Sequence, residues 1–207
     1  MEYYIYHIPV FVIQESTHGV TVPEFCYQVE ETLPASLLAK ADIDVVYIGQ
    51  FSELGRKNAA YANGAIYIIN TEPTAFDMLE NFVHEVAHAL EAQYGWHIYD
   101  DNLIQEFKGK RRRMRSLLDT AGYQTSPLLY DFTEYNQKFD EFLSQEVGYP
   151  TLLGLTMGLF VSPYAATSIN EYYANGFEKY FLGDYRAVRD ISPTLYKKIE
   201  EIVNDEA

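Results

Sequence analysis

From Phe76 onward apolar residues recur every three or four positions, at Leu79, Val83, Val86 and Leu90, so this stretch is expected to fold as a helix with one buried face. Thr74, with Asp77 three residues later, forms a helix-start box: the Thr side chain caps, and the acid lies at the positive end of the dipole. Gly95 predicts a stop near Tyr94. The stripe is not purely apolar, because His84, Glu85 and His88 lie inside it. Any fold of this chain must therefore half-bury a helix bearing two imidazoles and a carboxylate, and imidazoles left without partners there would be costly.

The flanking segments set the fold class. Residues 3–13 are aromatic and β-branched with Pro9 among them, which predicts an edge strand. Pro23-Glu24 opens a helix to about Thr32, Pro34 limits it, and residues 44–48 read as a short buried strand. Residues 59–62 and 65–69 flank Asn63-Gly64, the pair suited to a two-residue type I′ turn, and predict an antiparallel hairpin. Residues 101–147 read as mostly helical, with a break near Gly122 to Pro127. A further helix spans 169–182 up to Gly183, and Ser192-Pro193 opens the last one. Strands first and helices second argue α+β: a small mixed N-terminal sheet with the motif helix, then a mainly helical C-terminal half. A length of 207 residues suits one domain.

Charge narrows the partners. Fifteen basic against thirty acidic residues give a net charge of −15, a field that repels phosphate backbones, so nucleic acid is not an expected partner. Six of the fifteen basic residues lie within 108–115, inside one predicted helix. That cluster reads first as a solvated face paired with the acidic remainder, and second as a docking surface for an acidic protein partner. Cys26 is the single cysteine, which excludes an intramolecular disulfide and a four-cysteine metal site. No signal peptide is visible at the N-terminus, which suits a cytoplasmic chain as it stands and leaves the compartment open. The most apolar of the later runs, 152–161, falls well short of a membrane span, and no transmembrane segment is expected.

The chemistry lies in His84-Glu85-Val86-Ala87-His88, an HExxH motif. Histidines four apart on a helix are offset by about 40° and roughly 6 Å along the axis, so both imidazoles can reach one ion. Glu85 points toward the same mouth at another angle, suited to take a proton from water rather than to ligate. A third ligand is needed. The extended pattern HExxHxxGxxH fails, since Glu91 stands in place of its Gly and Tyr94 in place of its third His. His97 lies beyond the expected helix end and is a weak alternative. Glu171, on the amphipathic helix over 169–182, is the first choice, with Glu146 and Glu178 in reserve.

HEVAH, together with a later Tyr-x6-Glu-aromatic-aromatic-Ala from Tyr164 to Ala174, resembles the catalytic domain of anthrax lethal factor and its relatives, the proline-proline endopeptidases, which are gluzincins. The resemblance implies a zincin-like fold as a single domain over 1–207, with a helical insert at about 98–150. It implies that His84 and His88 bind Zn2+, that Glu171 completes the ligands, that Glu85 is the general base and that Tyr164 donates to the oxyanion. Asn175 stands where the family commonly has an acid that bonds a zinc histidine, and as a neutral acceptor it is expected to orient the imidazole but raise its basicity less. The implied function is a zinc-dependent endopeptidase acting on extended polypeptide segments, with Glu85 activating a water on the zinc and the substrate lying along an exposed strand such as 66–69. Two alternatives stand beside it: a catalytically silent zincin-like binding or toxin-adaptor module, and a dedicated single-substrate regulatory protease, such as one of phage type. A monomer is expected, and the relatives are mostly exported.

Overall fold

The computed structural model describes residues 2–55 and 57–204. Contacts divide the chain into two compact units, Met1–Tyr94 and Gly95–Ala207. The first holds a mixed sheet of β1 (Tyr3–Ile5), β2 (Ile8–Val12), β3 (Val45–Gly49), β4 (Ala59–Ala62) and β5 (Ala65–Ile69), in the order β1-β2-β3-β5-β4. Helices α1 (Val22–Thr32) and α2 (Ala35–Ala41) join β2 to β3, and α3 (Ala75–Ile98) follows β5. β2, β3 and β5 run parallel, while β1 and β4 pair antiparallel at the two edges.

Strand periodicity makes the core. Ile8 and Val10, Val46 and Ile48, Ile66 and Ile68 alternate onto one face and are buried there. Burial of side chains of this size contributes roughly 1.5–3 kcal/mol each. Phe25 of α1 meets Phe82 of α3 edge to face at 5.8 Å, tying the first helix to the motif helix. On the opposite face the register aligns Phe11, Tyr47 and Tyr67 across three strands, their rings stacked at 5.8 and 5.4 Å.

The Asn63-Gly64 hairpin forms as expected, with φ of 49° and 80° at the two turn residues. Residues 3–13, however, are two strands and not one edge strand. The chain turns at Tyr6, whose φ is 53°, so β1 takes the edge and β2 lies inside. Pro9 is tolerated there because the register with β3 begins one residue later, at Val10↔Val46. The strand over 65–69 is also interior, flanked by β3 and β4, so it offers no open edge to an extended substrate. That expectation is corrected: β4 is the edge strand on that side.

The start of α3 follows the sequence closely. Asp77 N–H donates to Thr74 Oγ1 at 3.1 Å, and Thr74 N–H donates back to Asp77 Oδ2 at 3.0 Å. Two expectations for this helix fail. Phe76, on the first turn, is exposed, and Ala75 and Met78 are buried in its place. Gly95 does not stop the helix, because its carbonyl accepts from Tyr99 N–H at 2.9 Å in unbroken helical fashion. A glycine inside a helix costs only about 1 kcal/mol, and the break comes instead at Asp100, whose Oδ1 caps the next helix by accepting from Leu103 N–H at 2.9 Å.

The second unit is helical: α4 (Asp101–Thr120), α5 (Gln137–Glu141), a π-helical stretch (Phe142–Gly148), α6 (Tyr149–Leu155), α7 (Ile169–Leu182), α8 (Tyr185–Ile191) and α9 (Pro193–Asn204). α4 is a central strut that packs on α6, α7 and α9. Its Glu106 accepts from Tyr172 Oη at 2.9 Å and from the Thr194 and Leu195 N–H groups at 2.8 and 3.2 Å, a carboxylate at the positive end of α9. α8 fills the stretch between Gly183 and Ser192, to which the sequence assigns no element.

The 108–115 cluster is not one solvated stripe. Lys110 and Arg111 are buried, and Lys110 Nζ donates to the carbonyls of Leu159 and Ile191 at 2.7 and 2.6 Å. Arg112 and Arg113 are exposed, and Arg115 pairs with Asp119 at 3.5 Å. Two of the six charges therefore face inward, where no partner protein reaches them. Among the described residues, no helix is long and apolar enough to cross a membrane.

Candidate functional site

In the first unit α3 presents the motif. Val83, Val86, Ala87 and Leu90 are fully buried, which fixes the rotation of the helix and leaves His84 and His88 half-buried on an adjoining stripe. The two imidazoles lie side by side, ring centroids 5.0 Å apart and planes inclined by 75°. The Glu91 carboxylate lies 2.8 Å from His88 Nδ1, the kind of partner that orients a ligating imidazole. Burial disfavours the charged form of His88, yet the hydrogen bond and charge of Glu91 outweigh it and hold the pKa above the ordinary histidine value.

Glu85 is 8% exposed, and its Oε2 accepts from the Tyr61 N–H of β4 at 2.7 Å. Tyr61 lies opposite Ile66, next to the closely paired Ala62 and Ala65, so its N–H faces away from β5 and toward the open edge. One carboxylate oxygen is thereby fixed by the sheet.

The second unit holds Tyr164 and Glu171. Tyr164 opens a short 3₁₀ turn (Tyr164–Ala166), and Glu171 lies in the first turn of α7, where its N–H donates to the capping Ser168 Oγ at 3.1 Å. Burial and the neighbouring Glu171 carboxylate push the Tyr164 phenol above its ordinary pKa, which keeps the hydroxyl protonated as a donor. The Tyr149 ring packs edge-on against Tyr164 at 6.4 Å. Asp140 accepts from Tyr149 Oη at 2.9 Å and from Tyr135 Oη at 2.8 Å, anchoring that aromatic wall.

Asn175 has another task than the one expected. Its Oδ1 accepts from Ser162 Oγ at 2.6 Å and its Nδ2 donates to the Glu171 carbonyl at 2.9 Å, so both ends of the amide serve the second unit's own backbone and turn. The orienting acid for a motif histidine is Glu91 instead. Its i,i+3 spacing from His88 was visible in the sequence, where it counted only as a mismatch to a longer motif. The Tyr61 N–H had no sequence signal, because a backbone donor carries none. Of the reserves, Glu146 is exposed on the π-helical stretch and Glu178 lies two turns beyond Glu171 on α7. His97 pairs with Glu201 at 3.1 Å.

The two imidazoles of α3, one of them oriented by the Glu91 carboxylate, are donors of the type that a divalent metal such as zinc takes. Compared with known proteins, the chain matches no family model, no curated protein and no solved structure. The family resemblance rests on the motif residues themselves.

Proposed function

We propose that the chain is a zinc-dependent endopeptidase of gluzincin type with a zincin-like fold, related to the lethal factor and proline-proline endopeptidase group. In this reading His84 and His88 of the first unit and Glu171 of the second are the metal ligands, each a residue type that offers one ligand atom. The observation that carries the reading is the arrangement on α3, where two imidazoles stand 5.0 Å apart beside a carboxylate that the sheet edge holds in place.

Zinc, when bound, supplies the Lewis acidity that polarises a peptide carbonyl and makes a water easier to deprotonate near neutral pH. Glu85 has the protein's part in the proton transfers. With one oxygen held by Tyr61 N–H, the other is free to take the proton of the attacking water and later to pass it to the leaving amine. Tyr164 donates its hydroxyl to the carbonyl oxygen as negative charge develops there. An extended polypeptide would add to the sheet at β4, the edge that already presents its Tyr61 N–H to Glu85.

The test is metal content together with turnover. Wild type is expected to carry one zinc per chain and to cleave extended polypeptides, and Glu171→Ala to lose both. Retention of zinc in Glu171→Ala would overturn the ligand set, and wild type that binds no zinc would overturn the peptidase.

A further inference from the structure

Arg111 is fully buried in the second unit, and the proposed chemistry makes no use of it. Its guanidinium is met by backbone carbonyls: Nε donates to Ala166 at 3.0 Å, Nη2 to Thr167 at 3.0 Å, and Nη1 to Phe132 and, at 3.4 Å, to Leu129. The rings of Phe107 and Phe139 lie against it at 5.0 and 4.3 Å. Burying a cation among carbonyls and aromatic rings is expensive, so what it secures matters. Ala166 and Thr167 close the turn that begins at Tyr164: Thr167 N–H and Oγ1 both donate to the Tyr164 carbonyl, at 3.0 and 2.8 Å.

The same turn is tied from its other side. Ser162 Oγ accepts from Ala165 N–H at 3.1 Å and donates to Asn175 Oδ1 at 2.6 Å, while Asn175 Nδ2 donates to the Glu171 carbonyl at 2.9 Å. Arg111 thus grips the C-terminal end of the Tyr164 turn, and Asn175 links its N-terminal side to the backbone of Glu171. We propose that Arg111 and Asn175 are positioning residues that hold Tyr164 in register with Glu171. The proposal rests on the reading of Tyr164 as the oxyanion donor. A planar fork of five donors suits this arrangement of carbonyls, and a lysine could not span it. A donor misplaced by about 1 Å loses on the order of 100-fold in rate, so partial loosening should cost about tenfold.

The test uses Arg111→Lys and Asn175→Ala, each alone and each combined with Tyr164→Phe. On the metal-free chain, hydrogen exchange at the Ala165, Ala166 and Thr167 amides is expected to quicken about tenfold in either single variant, with the amides of α4 unchanged. On the zinc-loaded chain each single variant should lower kcat about tenfold with KM within twofold, and neither should lower kcat further once Tyr164 is Phe. An equal fractional loss of kcat in both backgrounds, or unchanged exchange at the three amides, would overturn the proposal. Should Arg111→Lys fail to fold, Asn175→Ala carries the same comparison. Full turnover in Tyr164→Phe would remove the role of Tyr164 itself, an outcome separate from the exchange result.

Discussion

The Glu91 carboxylate stands 2.8 Å from Nδ1 of His88, three residues along the same helix. Such a partner fixes the ring's tautomer and raises its basicity as a ligand, and loss of a partner of this kind typically weakens metal binding 10- to 100-fold. Glu91→Ala is therefore expected to weaken zinc binding by about that factor. Glu91→Gln, which can still accept a hydrogen bond from Nδ1–H, should fall between it and wild type. Competition with a chelator of known affinity reads both, and equal affinity in all three proteins would show that Glu91 orients nothing.

Glu85 offers a cleaner separation of chemistry from structure. Glu85→Gln keeps an oxygen that can accept from Tyr61 N–H, so the fold and the zinc content should stay as in wild type. The amide cannot take a proton, and kcat should fall on the order of 10²–10⁴-fold. Steady-state hydrolysis of an unstructured peptide, with zinc measured on the same sample, decides it. Wild-type turnover in the zinc-loaded variant would remove Glu85 from its role.

What could be read in advance follows the range of the interaction involved. The hairpin at Asn63-Gly64, the Thr74/Asp77 box and the apolar stripe on α3 depend on residues within a few positions of one another, and the chain states them openly. The division of 3–13 into two strands depends on Tyr6 adopting a positive φ, which a tyrosine does not advertise. The inward turn of Lys110 and Arg111 depends on carbonyls 18 to 81 residues away, so a run of six charges looked like a surface. Among residues of the proposed site, His84, Glu85 and His88 stand out by their spacing alone. The task of Asn175 became visible only with Ser162 and the Glu171 carbonyl beside it.

Two glycines on helices should respond in opposite directions. Gly95 continues α3, and a methyl group there would meet only the Tyr99 ring at 3.9 Å. Gly95→Ala should stabilise the protein by about 0.4–1 kcal/mol by restricting the unfolded chain. At Gly176 on α7 the added carbon would run into Leu195 Cδ2 and lie 3.1 Å from its Cγ, so this fully buried side chain would have to shift. Gly176→Ala should destabilise by roughly 1–3 kcal/mol. Urea denaturation of both variants checks the pair, and a shift of the same sign in both would contradict the packing at α7 and α9.

Lys110 gives the protein a pH-dependent term on the alkaline side. Burial pushes its ammonium down to about 8, with the nearby Glu106 carboxylate opposing the fall and Arg113 adding to it. Because the folded value lies below the ordinary 10.5, the unfolded chain holds this proton over a range where the folded chain has released it. Stability then rises with pH between about 8 and 10.5, as the burden of a buried charge is relieved, and below pH 8 that burden is fully present. The whole effect is on the order of 3 kcal/mol. Lys110→Met removes the group, so the stability of wild type relative to the variant should climb as pH goes from 7.5 to 9.5. The buried tyrosines, whose raised pKa values weaken the fold only above about pH 10, act outside this pH range. Chemical denaturation at steps of half a pH unit measures the difference directly, and a flat or falling difference would mean that the Leu159 and Ile191 carbonyls hold Lys110 charged throughout.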